Sequence, residues 1–224
     1  MCFSPLASFI GGAVISSIGI ATIRKVHKPS QVLFAAIPLF FGFQQVAEGL
    51  LWLALKKTGL DDLEKVSSNI FLIMADVIWP VMIPLSVLFL ENSSRKRKIL
   101  FVFLSIGVVL SLYYSWCLLT FDVTPRIKGF HIQYDTGFPR SLAMVAFLFY
   151  LTATIPPLFI SSTRRMYLFG ILATISCFVT GIFYTQYLTS VWCFFAALIS
   201  VVIYWILTDA KSLFDLEKLK LLKI

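Results

Sequence analysis

Residues 69–90 read Asn-Ile-Phe-Leu-Ile-Met-Ala-Asp-Val-Ile-Trp-Pro-Val-Met-Ile-Pro-Leu-Ser-Val-Leu-Phe-Leu, an apolar run whose single charge is Asp76. A helix crossing the hydrocarbon core of a bilayer needs about 20 such residues, because each adds only about 1.5 Å of rise. Six further runs of comparable length lie at about 5–23, 31–55, 99–120, 140–160, 166–187 and 191–208. The chain of 224 residues is 59 % hydrophobic, 13 % charged and contains 22 Phe, more apolar surface than a soluble domain can bury. Connecting segments are short, so no second folded domain fits between the runs. The sequence predicts an all-α fold, a polytopic bundle of seven transmembrane helices over residues 1–208. A basic cytoplasmic tail follows over 209–224. In that tail Leu213, Leu216, Leu219 and Leu222 recur every third residue among lysines. Two readings stay open for it, an amphipathic helix on the anionic inner leaflet or a frayed end of the seventh helix.

The net charge of +8 is not a nucleic-acid signal, because the basic residues are distributed for topology. Arg24, Lys25 and Lys28 follow the first run, Arg95 to Lys98 the third, and Arg164 and Arg165 the fifth. Lys211, Lys218, Lys220 and Lys223 follow the seventh. The other side carries only Lys56, Lys57, Lys65, Arg126, Lys128 and Arg140. The positive-inside rule then puts the amino terminus outside and the carboxyl terminus in the cytoplasm of a multi-pass plasma-membrane protein. No basic n-region precedes the first run, no lipobox surrounds Cys2, and no carboxyl-terminal lipidation motif is present, so neither a cleaved signal nor a lipid anchor is expected. Trp79-Pro80 and Pro84 in the third run, and Pro156-Pro157 in the fifth, predict kinks that free backbone carbonyls. The long outer segment 121–138 reads either as a lid or as a plain solvated connector.

Two carboxylates, Glu48 and Asp76, lie inside otherwise apolar runs. A charge at membrane depth costs several kcal/mol, so such groups face a protein interior or a water-filled cavity and mark function. With the second helix running outward to about Leu55 and the third inward from about Asn69, both carboxylates lie roughly 10 Å below the outer surface. Sequential antiparallel helices are normally neighbours, so Glu48 and Asp76 are candidates for one shared site, as catalytic acid, base or ligand. Gln44, Gln45 and Trp52 recur with Glu48 at spacings of three and four, and Trp79 is three beyond Asp76. The competing reading is a hydrogen-bonded network that only joins helices.

Further polar candidates fall at the same level. Trp116 and Cys117 close the fourth helix, Tyr184 and Gln186 the sixth, and Trp192-Cys193 open the seventh. Cys2 is outside, and His131 and Tyr134 lie in the long outer segment. Cys2, Glu48, His131 and Cys193 form a donor set able to hold Zn, Cu or Fe. Metal spacings such as HExxH or CxxC are missing, and a disulfide among Cys2, Cys117 and Cys193 is the plainer outcome for these thiols. Cys177, at mid-membrane, reads as packing, and His27 as part of the basic inner loop. His131 is either a lid ligand or general base, or an ordinary loop histidine.

Several stretches carry a resemblance. They are Met1-Cys2-Phe3-Ser4 with Ala7-Ser8-Phe9, the run from Phe43 to Trp52, Trp79-Pro80 with Pro84, His131 to Tyr134, and Ser190 to Ala197. In combination, the chain resembles a bacterial family of small integral membrane proteins of unknown function. The resemblance implies a bacterial inner-membrane location, and a single site drawn from Cys2, Gln45, Glu48, His131, Trp192 and Cys193. It implies no activity. Retinal proteins are excluded because the run from Val191 to Thr208 has no lysine for a Schiff base, and multi-histidine membrane hydrolases because only two histidines exist. The expected function is an outward-facing polar pocket. The first reading is a metal-dependent enzyme acting on a lipid or small amphiphile, with Gln44, Gln45, Trp52, Trp79, Tyr134, Tyr184 and Trp192 as ligand-binding residues. The alternative is a non-enzymatic ligand- or metal-binding sensor or accessory protein. A transporter ranks third, because acidic residues occur only in the outer half of the helices.

Overall fold

In a computed structural model the described residues are 4–208, and seven of their helices are long and apolar enough to cross a membrane. These are α1 Pro5–Ile23, α2 Pro29–Lys56, α3 Asp61–Leu90, α4 Ser94–Thr120, α5 Arg140–Ile160, α6 Met166–Phe183 and α7 Thr185–Thr208. Cys2 and the tail from residue 209 lie outside the described residues. Helix starts follow the sequence cues. Ser4 caps α1 by accepting the Ala7 N–H at 3.2 Å, and Pro5 sits in the first turn, where its missing N–H costs nothing. The first turn of α3 holds Asp61, Asp62 and Glu64, which complement the positive end of the helix dipole. That helix therefore begins two turns before the apolar run does.

The helices do not share the interior equally. In α2 and α3, 67 % and 61 % of the apolar window is buried, against 17 % in α4, so the two carboxylate-bearing helices occupy the middle of the bundle. The α1–α2 pair is the most closely packed. A Cβ on Gly19 would lie 2.6 Å from the Leu39 nitrogen, one on Gly12 would lie 2.9 Å from Val46, and Gly42 faces Ser16. Small residues at these positions let two backbones meet where no hydrophobic force distinguishes a neighbour from lipid. Phe34, Ile37 and Phe41 of α2 then pack with Met82 and Val87 of α3 and Ile203 and Ile206 of α7.

The prolines act as the sequence leads one to expect. Residues Ile73–Ile78 form a π-helical stretch in α3, ending where the Trp79 N–H reaches back to the Met74 carbonyl. In that register the partner of the Ala75 carbonyl would be the N–H that Pro80 lacks. The Tyr150 hydroxyl takes its place, donating to Ala75 O at 2.8 Å. Gly107 of α4 abuts the Pro80 carbonyl, where any larger residue would collide. In α5 the helix breaks at Ile155 before Pro156-Pro157.

One element departs from the all-α expectation. The segment read as a loop contains an antiparallel hairpin, β1 Val123–Lys128 and β2 His131–Thr136, with Lys128 opposite His131. Its turn is Gly129-Phe130, with Gly129 at φ 61°, a backbone conformation that favours glycine. The alternation of Val123, Pro125 and Ile127 with polar residues, followed by Gly-X, is the signal for this hairpin. The hairpin covers one end of the bundle. Ile132 is fully buried against Leu51 and Trp52, and Tyr134 stacks on Phe71 with ring centroids 5.0 Å apart.

At the opposite, basic end, Glu91 ties three segments together. Its carboxylate accepts the backbone N–H of Ser93 at 2.9 Å and of Ser162 at 2.7 Å, while Arg97 donates to the Glu91 and Leu88 carbonyls. Burial works to raise the Glu91 pKa, but those N–H groups, the Ser162 hydroxyl and Lys96 outweigh it, and the carboxyl titrates below its ordinary range. Arg165, at φ 64°, lays its guanidinium over the Trp205 ring at 3.9 Å.

Candidate functional site

The polar face of α2 divides between two neighbours. Gln44, fully buried, is the hub of the first group. Its amide nitrogen donates to the Phe71 carbonyl at 3.4 Å and to Cys193 Sγ at 3.3 Å, and its oxygen accepts the Trp79 indole N–H at 2.9 Å. Trp79 also stacks on Phe41 at 3.9 Å. These contacts join α2, α3 and α7, the helix-joining network that competed with a catalytic reading. The Gln44 amide and the Trp79 indole N–H are therefore engaged within the protein, while the Trp79 ring also lines an apolar slot.

Glu48, one turn along α2, is also fully buried and accepts a hydrogen bond from the Ser190 hydroxyl in the opening turns of α7. Gln45 and Trp52 are buried on the same face, and the Gln45 amide and the Trp52 indole nitrogen have no hydrogen-bond partner among the described residues. The sequence singles out Ser190 only as part of the stretch from Ser190 to Ala197, although its hydroxyl lies one residue from the cleft-lining Thr189.

Asp76 has a different setting. It is only partly buried, it makes no hydrogen bond or ion pair with any described residue, and it faces a cleft of about 630 Å³ beneath the hairpin. Tyr113 and Tyr114 of α4, Tyr134 of β2, Phe138, Arg140 and Thr189 give this cleft its character. Asp135 also borders it but is already engaged, accepting from Gln133 at 2.7 Å and facing Arg126 at 3.6 Å. Arg140 has no ion-pair partner among the described residues. The π-helical stretch holds Asp76 itself, and the close approach of Gly107 to Pro80 brings α4 alongside. Tyr114, two turns beyond Gly107 on the same face of α4, thereby reaches the cleft.

The cleft continues inward. Asp76, Tyr114 and Thr189 also line a small cavity of about 70 Å³ that ends on Tyr150, Trp192 and Cys193. Those three residues line in turn a narrow apolar slot of about 60 Å³, bounded by Ile83, Leu158 and Phe169 where α5 breaks. The polar cleft and the apolar slot thus border the same small cavity, whose wall includes Trp192; the indole nitrogen of Trp192 has no partner among the described residues. Trp192 also packs edge-on against Tyr150, 5.4 Å between ring centroids.

The residues expected to form one site take up different settings. Glu48 engages Ser190, and Asp76 opens to the cleft beside Thr189. His131, first residue of β2, packs between Tyr184 and Tyr187 at 5.2 and 4.8 Å, where burial lowers its pKa and keeps the ring neutral near pH 7. Cys193 is turned to Gln44. Among the described residues no three His, Cys, Asp or Glu side chains group closely enough to hold a metal ion, and Cys2 of the expected donor set lies outside them. Cys117, Cys177 and Cys193 are free and buried, so no disulfide joins Cys117 to Cys193. Tyr113, Tyr114, Tyr150, Arg140, Thr189 and Ser190 were missed. Tyrosines at helix ends look like an aromatic belt in sequence, and only the Ala75 carbonyl orphaned by Pro80 could have called for a donor such as Tyr150.

The family described as "family of unknown function (DUF6629)" matches residues 1–214. No curated protein and no solved structure matches the chain.

Proposed function

Because the chain belongs to the DUF6629 family, whose function is unknown, we propose from its geometry that it is a membrane-embedded binding protein for a single-chain amphiphile. The head lies in the cleft under the hairpin, and the chain follows the narrow slot between α5, α6 and α7. The observation that carries this reading is Asp76, a partly buried carboxylate without a protein partner, which lines both the polar cleft and a small cavity that shares walls with the apolar slot. A carboxylate kept at membrane depth without a counter-charge is costly unless something else supplies the partner. A cleft of this volume is in the range of small-molecule sites, which combine apolar walls with a few directed polar groups. The asymmetry of the basic residues supports an outward-facing cleft.

The test uses maltoside-purified protein titrated with dodecyl amphiphiles of cationic, zwitterionic and neutral head. The expected result is a saturable rise in melting temperature for at least one of them, its loss in Ala143→Trp, which fills the cleft from an exposed position on α5, and recovery of the amphiphile chemically unchanged. No rise with any, or a rise that survives Ala143→Trp, ends the proposal.

A second reading, catalysis, draws on one observation, the Ser190 hydroxyl hydrogen-bonded to the Glu48 carboxylate. A hydroxyl beside a base is the elementary unit of nucleophilic catalysis. Both groups are fully buried, which is why binding ranks first. Chemically altered amphiphile from wild type and none from Glu48→Gln would reverse the order, and elemental analysis beside Cys2→Ser would show whether Zn, Cu or Fe takes part.

A further inference from the structure

The order of charges along the path specifies the ligand's head. This inference rests on the binding reading above and goes on to the chemistry of the bound molecule. The apolar slot shares Tyr150, Trp192 and Cys193 with the small cavity, Asp76 lines that cavity and the cleft, and Arg140 lines the cleft alone. We propose that the site takes a single-chain amphiphile with a protonated amine or quaternary ammonium next to its chain and an anionic group beyond it.

Asp76 supplies the first half of the argument. It is the one carboxylate of the cleft without a described partner, since Asp135 is held by Arg126 and Gln133. Tyr113, Tyr114, Tyr134 and Phe138 bring aromatic rings to the same walls. Aromatic faces attract cations through the ring quadrupole, and a carboxylate set among such faces is the general solution for holding ammonium groups. An anionic head at this depth would meet the Asp76 charge in poorly screened surroundings.

Arg140 supplies the second half. It is the first residue of α5, without an ion-pair partner among the described residues, and the first turn of that helix contains no acidic side chain. An anion there meets the guanidinium and the positive end of the helix together. Ala146 of α5 shares the cleft with Asp76, and Arg140 lies six residues earlier, roughly 9 Å higher at 1.5 Å per residue. Asp76 and Arg140 both line the one cleft, so a single zwitterionic head can meet both. The reverse order, phosphate next to the chain and amine outermost, would put the anion against Asp76 and the cation against Arg140.

The experiment compares three probes of equal chain, dodecyl-N,N-dimethylglycine, dodecyltrimethylammonium and dodecylphosphocholine, each below its critical micelle concentration in maltoside solution. The readout is the apparent dissociation constant from the shift in melting temperature. The first carries ammonium then carboxylate and the third the reverse, so head order is the main variable between them. Dodecyl-N,N-dimethylglycine is expected to bind at least tenfold more tightly than dodecylphosphocholine, with the cation alone between them. Asp76→Asn should weaken both ammonium-first probes, and Arg140→Gln only the zwitterion. Equal affinity for the two zwitterions, or an unchanged preference in Asp76→Asn, overturns the proposed head order. Loss of all binding in Ala143→Trp alongside such equality would leave the binding site standing without it, whereas binding indifferent to Ala143→Trp would remove both. Circular dichroism of each variant separates lost binding from lost fold.

Discussion

Single residues show what a carboxylate in an apolar helix is for only once their partners are known. Glu48 and Asp76 are equally conspicuous in sequence, yet one is sealed against Ser190 and the other open to a cleft. Hydropathy sets the depth of a residue but not the rotation of its helix, and rotation decides this difference. Gln44 shows the same limit, because its spacing fits a ligand residue while its amide serves Phe71, Cys193 and Trp79. Gln44→Leu removes the acceptor of a buried indole N–H and should destabilise the protein by about 1–3 kcal/mol, read from reversible unfolding in mixed micelles. Asp76→Asn breaks no protein hydrogen bond and removes an unpaired carboxylate, so it should leave that stability unchanged or raise it. Glu91 makes a pH prediction. Its folded pKa lies below the ordinary glutamate range, so the unfolded chain takes up the proton first as pH falls. The stabilisation is fully present above that range and is lost as pH drops through the folded value. Glu91→Gln should cost about 1.5–3 kcal/mol at neutral pH, the usual worth of hydrogen bonds to a charged group, and should flatten the acid limb of the stability profile.

Elements are shaped here by residues that lack something. Pro80 lacks an N–H, α3 answers with a π-helical stretch, and the orphaned Ala75 carbonyl is satisfied by Tyr150 from α5. Tyr150→Phe should then cost about 1–3 kcal/mol, the penalty of an unsatisfied buried carbonyl. In a Pro80→Ala background the restored N–H competes for the same carbonyl and the cost should shrink. A double-mutant cycle measures that coupling, and strict additivity would contradict the assignment. Gly19 lacks a side chain, and α1 meets α2 across the gap. Gly19→Ala forces the helices apart against the Leu39 backbone and should lose about 1–3 kcal/mol, the typical cost of overpacking. The hairpin was legible in principle, since Val123 to Thr136 alternates around a Gly-X turn. It was passed over because a polar segment between spanning helices reads first as a connector.

The whole molecule is a bundle with two unlike ends. One carries the hairpin, the cleft and six basic residues; the other carries most of the positive charge and the Glu91 junction. The topology this implies is testable with the buried native thiols as silent background. In a Cys2→Ser chain, Gly129→Cys in the hairpin turn should react with a membrane-impermeant maleimide on intact cells. Arg95→Cys should react only after permeabilisation, and the opposite pattern would invert the bundle and move the cleft to the cytoplasm.

The sequence by itself determined the number of spanning helices, their approximate ends, the charge asymmetry and the positions where polarity is costly. Each of these follows from local composition, because a bilayer demands a long apolar run and punishes charge wherever it occurs. Tertiary structure alone decided that Glu48 accepts from Ser190 while Asp76 opens to a cleft, that Tyr113, Tyr114, Arg140 and Thr189 line that cleft with it, and that Cys193 serves Gln44. Those outcomes depend on helix rotation, on the close approach of Gly107 to Pro80 and on a hairpin that brings Tyr134 back over the bundle. No local pattern encodes them, because each is fixed by contact between segments far apart in the chain.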